Sequence, residues 1–144
     1  YIPIGFIGKN TIVSNLAFAI YNCEPWIFGI ISSRIHMTWI RTVCGSLETR
    51  LRYSSRLGYN TFPLPMVSEE KKAQITSLVF DIIRERESYC DMSLGDMYSN
   101  LPERLRLLHE LLDKEVDSCY QQEIFNSDVE RVKLLLSMYD RNEV

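Results

Sequence analysis

Apolar side chains recur at residues 27, 30, 31, 35, 39 and 40, close to the helical period, behind a proline at 25 suited to a first helical turn. The spacing predicts one buried helix from Pro25 to Val43. From Leu47 to Tyr53, apolar or neutral residues alternate with charged ones. This is the period of a strand with one polar face, entered through a turn at Gly45. The segment Tyr59-Asn60-Thr61-Phe62-Pro63-Leu64-Pro65 must be extended, because each proline pushes its predecessor out of the helical region. It marks a boundary between two domains, residues 1–65 and 66–144.

Beyond that boundary the pattern is helical. Ser68 with Glu69 and Glu70 suits a helix start, and Ile75, Leu78, Val79, Ile82 and Ile83 share one face of a helix ending near Tyr89. A second helix is expected from Asn100 as cap, with Pro102 in its first turn, Glu103 closing a capping box, and an apolar stripe of Leu101, Leu105, Leu108, Leu112 and Val116. Ser127 and Glu130 form a further capping box before Val132, Leu135, Leu136 and Tyr139. Three amphipathic helices imply a small bundle. At the other end, Pro3, Gly5 and Gly8 stand among β-branched and aromatic residues, which favours strands and turns. The expected class is α+β, a mixed α/β portion followed by a three-helix bundle.

Charge divides at the same place. Residues 1–66 hold Lys9, Arg34, Arg41, Arg50, Arg52 and Arg56 against Glu24 and Glu48, a net +4, whereas the remainder holds ten basic and seventeen acidic residues, a net −7. A basic half joined to an acidic half suggests that the first half faces a polyanion such as nucleic acid. The longest apolar run, Trp26 to Ile31, is far too short to span a membrane. No secretory signal precedes it, and the absence of an initiator Met at Tyr1 makes the chain read as a fragment. Cys23, Cys44, Cys90 and Cys119 are widely spaced, which disfavours zinc and suits reduced, mostly buried thiols. A cytoplasmic location is expected, and with the partners of the first strands missing, residues 1–20 are expected to mediate self-association or to stay mobile.

Enzyme signatures fail on spacing. In Gly5-Phe6-Ile7-Gly8-Lys9-Asn10 the glycines are too close for a phosphate loop, and Asn follows the lysine where Ser or Thr is needed. Asn60-Thr61-Phe62-Pro63 lacks the paired prolines of an amino-methyltransferase tetrapeptide. His36 and His109 have no partnered Ser or Cys and read as packing residues. No catalytic residue, metal site or cofactor site is assigned in this chain. What remains is Glu48-Thr49-Arg50-Leu51-Arg52-Tyr53, in which a strand would align Glu48, Arg50 and Arg52 on one face. Arg can grip guanine with two hydrogen bonds and Glu can accept from cytosine, so such a face could read bases in a major groove.

Asn15-Leu16-Ala17-Phe18-Ala19-Ile20, Ser33-Arg34-Ile35-His36-Met37-Thr38-Trp39, Gly45-Ser46-Leu47, Arg52-Tyr53-Ser54 and Tyr59-Asn60-Thr61-Phe62-Pro63-Leu64-Pro65 occur in an order and spacing that resemble the MmeI-like type II restriction-modification enzymes. Leu101-Pro102, His109, Leu112-Asp113, Val116-Asp117, Tyr120 and Glu130-Arg131-Val132 extend the resemblance into that family's helical tail. The resemblance implies a parent with a nuclease, an adenine-N6 methyltransferase using S-adenosylmethionine, a Mg requirement, a target recognition domain and a helical tail in one polypeptide. This chain would hold the end of the recognition domain and the tail. It would contact double-stranded DNA and the upstream segments of the same polypeptide.

The resemblance also implies base-reading roles for Asn15, Leu16, Glu48, Arg50 and Arg52. Lys9, Arg41, Ser54 and Arg56 are candidates for phosphate contact. Asn is suited to adenine, whereas Leu16 offers only apolar contact. Ser46 departs from the Arg usual after the turn glycine in that family. Tyr53, Tyr59 and Phe62 are read as pinning one domain to the other. The rival reading is a protein-interaction module in which the acidic helices bind a partner and the basic strand is ordinary surface.

Overall fold

The computed structural model describes residues 1–15, 17–47, 50, 51 and 53–141, with backbone alone for 46, 47, 50 and 51. Among the described residues six α-helices carry the architecture: α1 (Pro25–Ser32), α2 (Arg34–Val43), α3 (Glu69–Glu87), α4 (Leu94–Ser99), α5 (Glu103–Asp117) and α6 (Asp128–Asp140). Among the described residues, paired strands amount to β1 (Ser46–Leu47) and β2 (Arg50–Leu51), joined as one antiparallel pair. The expected α+β class with a mixed α/β portion is therefore corrected to a helical fold. Residues 1–15 and 17–24 form no strand. Their aromatic and β-branched side chains pack an extended chain onto the helices instead: Phe6 lies 5.1 Å from Phe28 between ring centroids, and the carbonyl of Ile4 accepts from Arg86 at 2.6 Å.

The single helix expected from Pro25 to Val43 is two, separated at Ser33, whose ψ of 163° is extended. The cause is local competition by hydroxyls. Ser32 Oγ donates to the Gly29 carbonyl at 3.2 Å, and Ser33 Oγ adds a second donor at 2.6 Å to the Ile30 carbonyl, which also accepts from the Ser33 N–H. With its hydroxyl committed backwards, Ser33 makes no side-chain cap for α2.

The tail follows its capping signals closely. Ser68 accepts from the Lys71 N–H and Ser127 from that of Glu130, each at 3.3 Å. The Asn100 cap is a correction, because α5 begins behind Pro102 without a side-chain cap, and the Asn100 N–H instead closes α4 by donating to Asp96. The short α4 itself was not expected, although Ser93 three residues before Asp96 carries its capping signal.

One apolar cluster joins the two halves of the chain. Phe28, Ile30, Ile35, Trp39, Ile40 and Phe62 are buried together with Ile75, Val79, Ile82, Leu105, Leu112 and Leu135. Helix α1 crosses α3 so closely that a Cβ at Gly29 would sit 2.3 Å from the Ile75 Cγ2, so only glycine allows this approach without displacement.

Candidate nucleic-acid interface

Helix α2 is the base of the region that holds the candidate reading residues. It is buried through Ile35, His36, Met37, Thr38, Trp39 and Ile40, and its chain leaves through Gly45 at φ +68°, a left-handed conformation that suits glycine. The antiparallel pair follows, with Ser46 opposite Leu51 and Leu47 opposite Arg50. A five-residue π-turn, Ser55–Tyr59, then packs back against α2, where a Cβ at Gly58 would meet the Ile40 Cδ1 at 2.3 Å. The single strand expected from Leu47 to Tyr53 is thus corrected in that Leu47 and Arg50 lie on two paired antiparallel strands, not on one. Arg50 lies in β2, whereas Glu48, Arg52 and Leu16 are outside the described residues.

Two separate segments meet at Tyr53. Its ring centroid lies 5.6 Å from that of Phe18, and its hydroxyl lies 3.3 Å from the Nε2 of His36. His36 is fully buried and meets the edge of Phe62 at 4.4 Å. Burial drives the His36 imidazole down to about 4 and raises the Tyr53 phenol to about 12, so both are neutral near pH 7. The contact brings the segment containing exposed Asn15 beside the exit of β2.

Lys9, Arg41 and Arg56 are exposed. Arg41 lines a shallow cleft with Tyr1, Arg34, Met37 and Asp128. Ser54 is half-buried, and its hydroxyl accepts from the Leu57 N–H at 3.3 Å, capping the π-turn. Arg34, counted in the basic half, is bound to the acidic one: its Nε donates to Asp128 at 2.7 Å and a terminal nitrogen donates to the same carboxylate at 3.3 Å. This hydrogen bond raises the Arg34 guanidinium. Burial alone would raise the Asp128 carboxyl, but Arg34 holds it below the usual carboxylate range. Asp128 also receives Arg131 at 3.2 Å, and Arg131 in turn pairs with Asp117. Linear sequence did not reveal this network, since its members lie far apart and oppositely charged residues abound between them.

A second network lies beneath it. Asp113, buried on α5, accepts from the Arg34 backbone N–H at 2.7 Å and from the Tyr1 hydroxyl at 2.6 Å. Tyr1 stacks on His109 at 4.3 Å, and His109 Nε2 lies 2.6 Å from the Tyr98 hydroxyl. Arg86 donates to that hydroxyl, which leaves the hydroxyl proton for His109. Tyr120 donates to the Pro63 carbonyl at 3.0 Å, and Phe62 is buried beside it, in keeping with the pinning role expected of Phe62. Among the described residues no group of three or more His, Cys, Asp or Glu side chains could hold a metal ion, and no helix is long and apolar enough to cross a membrane.

The family model for the MmeI target recognition domain matches residues 1–66, and that for the MmeI C-terminal domain matches residues 67–143. A curated relative, DNA methyltransferase A of Bacillus subtilis (strain 168), is 43% identical over 141 residues, which are 96% of this chain and 16% of the relative. A solved structure described as the Type IIL restriction-modification enzyme MmeI in complex with DNA superposes with a TM-score of 0.77 at 38% identity, covering 83% of this chain and 16% of the other. The chain spans about a sixth of each. With both family models matched in sequence order and nearly the full chain aligned to a relative, this chain belongs to the MmeI family, as part of its target recognition domain followed by its C-terminal domain.

Proposed function

We propose that this chain selects the DNA sequence on which a restriction-modification methyltransferase acts, with residues 1–65 reading the duplex and residues 66–144 bracing the reading part. What supports the reading is the contact of Phe18 with Tyr53, by which two segments carrying candidate base readers converge on one buried helix. Asn15 and Leu16 come from the first segment, and Glu48, Arg50 and Arg52 from the second. Lys9, Arg41, Arg56 and the hydroxyl of Ser54 are candidates for the flanking phosphates. Such contacts orient a protein on the duplex without specifying sequence.

The parent activity belongs to the same proposal. Its closest chemistry is transfer of a methyl group from S-adenosylmethionine to an adenine N6, with Mg required for any accompanying cleavage. Neither group is assigned to residues of this chain. The upstream segments of a longer polypeptide would hold them. Exposed Phe6, Ile7, Ile12 and Phe18 provide an apolar surface through which the isolated chain would self-associate.

Salt titration of binding to a DNA duplex tests the reading. With Arg34 committed to Asp128, contacts from Lys9, Arg41 and Arg56 would give a slope of log affinity on log salt of about −3, and replacing any one would lower it by about 1. A salt-independent affinity would instead favour an apolar interface with a protein.

A further inference from the structure

We infer that Tyr53 is a positioning residue for sequence discrimination, acting as the joint that sets the register of the two reading segments relative to each other; this rests on the DNA-reading function proposed above. The segment from Tyr1 to Glu24 forms no helix or strand among its described residues, so no backbone ladder fixes the stretch around Asn15. Within it the Ala17 N–H donates to the Ser14 carbonyl at 3.2 Å, a local turn that side chains join to the rest of the molecule. Phe18 is 62% exposed, and its ring contact is with Tyr53. Tyr53 is in turn held by its hydroxyl against His36, which is fully enclosed and braced by Phe62. The chain of contacts Phe18, Tyr53, His36 therefore runs from an irregular surface segment to the buried helix α2.

Tyr53 also directly follows the second segment, two positions beyond the end of β2. The same residue thus anchors both. This arrangement matters because neighbouring base pairs are about 3.4 Å apart, whereas hydrogen bonds to base edges form over a range of about 0.5 Å and weaken steeply as they bend. Readers on two independent segments discriminate only if their spacing is fixed. Phosphate contacts, which tolerate reorientation of long basic side chains, depend far less on that spacing.

The test is made in the full-length protein, scoring methylation at each position of the target and the salt dependence of duplex binding for the wild type, Phe18→Ala, Tyr53→Phe and Tyr53→Ala. Phe18→Ala, at a largely exposed position, should lower discrimination about tenfold at the base pairs read by the Asn15 segment and leave the others intact. Tyr53→Ala should lower it at both sets, and Tyr53→Phe, which keeps the ring but loses the His36 anchor, should fall between the wild type and Tyr53→Ala. The salt slope should stay at the wild-type value in all three. Should Tyr53→Ala fail to fold, Phe18→Ala and Tyr53→Phe decide the matter. A specific wild type with Phe18→Ala and Tyr53→Phe equally specific at every position would overturn the positioning role while leaving the DNA-reading function standing. A wild type without sequence preference would overturn both.

Discussion

The carboxylate of Asp113, on α5, accepts a hydrogen bond from the backbone N–H of Arg34 at 2.7 Å, across 79 positions of sequence. It supplies from the C-terminal half the helix cap that Ser33 does not give to α2. A negative group at a helix N-terminus satisfies an orphan donor and complements the helix dipole. Helix α2, on which the candidate reading segments converge, is therefore capped by a residue of the tail. Asp113→Ala should cost about 2 kcal/mol in urea unfolding, the range for a lost cap and an unsatisfied buried donor. Asp113→Asn, which keeps an acceptor, should cost less. Equal stability of wild type and Asp113→Ala would show that the cap contributes nothing.

Cutting the chain at the boundary between the two family models should abolish folding of the first part. Residues 1–66 alone would leave Phe28, Ile30, Ile35 and Trp39 without Ile75, Val79, Leu112 and Leu135, so much of their apolar surface would return to water. Circular dichroism of that piece should lack the signal of α1 and α2, and adding residues 67–144 in trans should restore part of it. A cooperative unfolding transition in residues 1–66 alone would contradict the shared core.

Acidification should destabilise the fold before most carboxylates titrate. Burial lowers His36 to about 4; burial, with help from the Arg86 charge, lowers His109 to about 3. Both values lie below the unfolded value of about 6.5, so the unfolded chain binds more protons in this window and stability falls as pH drops from about 6.5. The loss should be on the order of 3 to 5 kcal/mol for each histidine once its folded value is passed. Asp113, raised mainly by burial, acts in the opposite sense at the acid end of the window. Urea unfolding at pH 7.5, 5.5 and 4.5 should show a steady decline that is shallower in His109→Gln. A flat profile would contradict the burial of neutral imidazoles.

The tail was legible because its signals are local: a capping serine and an apolar stripe lie within one helix, as at Ser68 and Ser127. The first half was harder to read because its decisive partners are distant. The break at Ser33 depends on Ser32 and Ser33 turning their hydroxyls back onto α1 and on Asp113 receiving the start of α2. The β-branched and aromatic opening reads as strand by composition. A strand needs a ladder partner, however, and Tyr1, Ile4 and Phe6 find helices instead. Packing roles for His36, His109 and Phe62 were legible from their apolar neighbours. The pairing of Arg34 with Asp128 was not, and it removes one of the six basic residues of the first half from the count available to a polyanion.

If Glu48 and Arg50 together face one base pair, the double substitution Glu48→Lys with Arg50→Glu inverts the donor and acceptor pattern they present. Mapping methylated sites in cells that express the full-length protein with and without this exchange is the most direct measurement. A changed preferred base at one position of the target is expected, by about tenfold or more, with the remaining positions and the rate largely retained. An unchanged methylation site in an active double variant would exclude Glu48 and Arg50 as base readers.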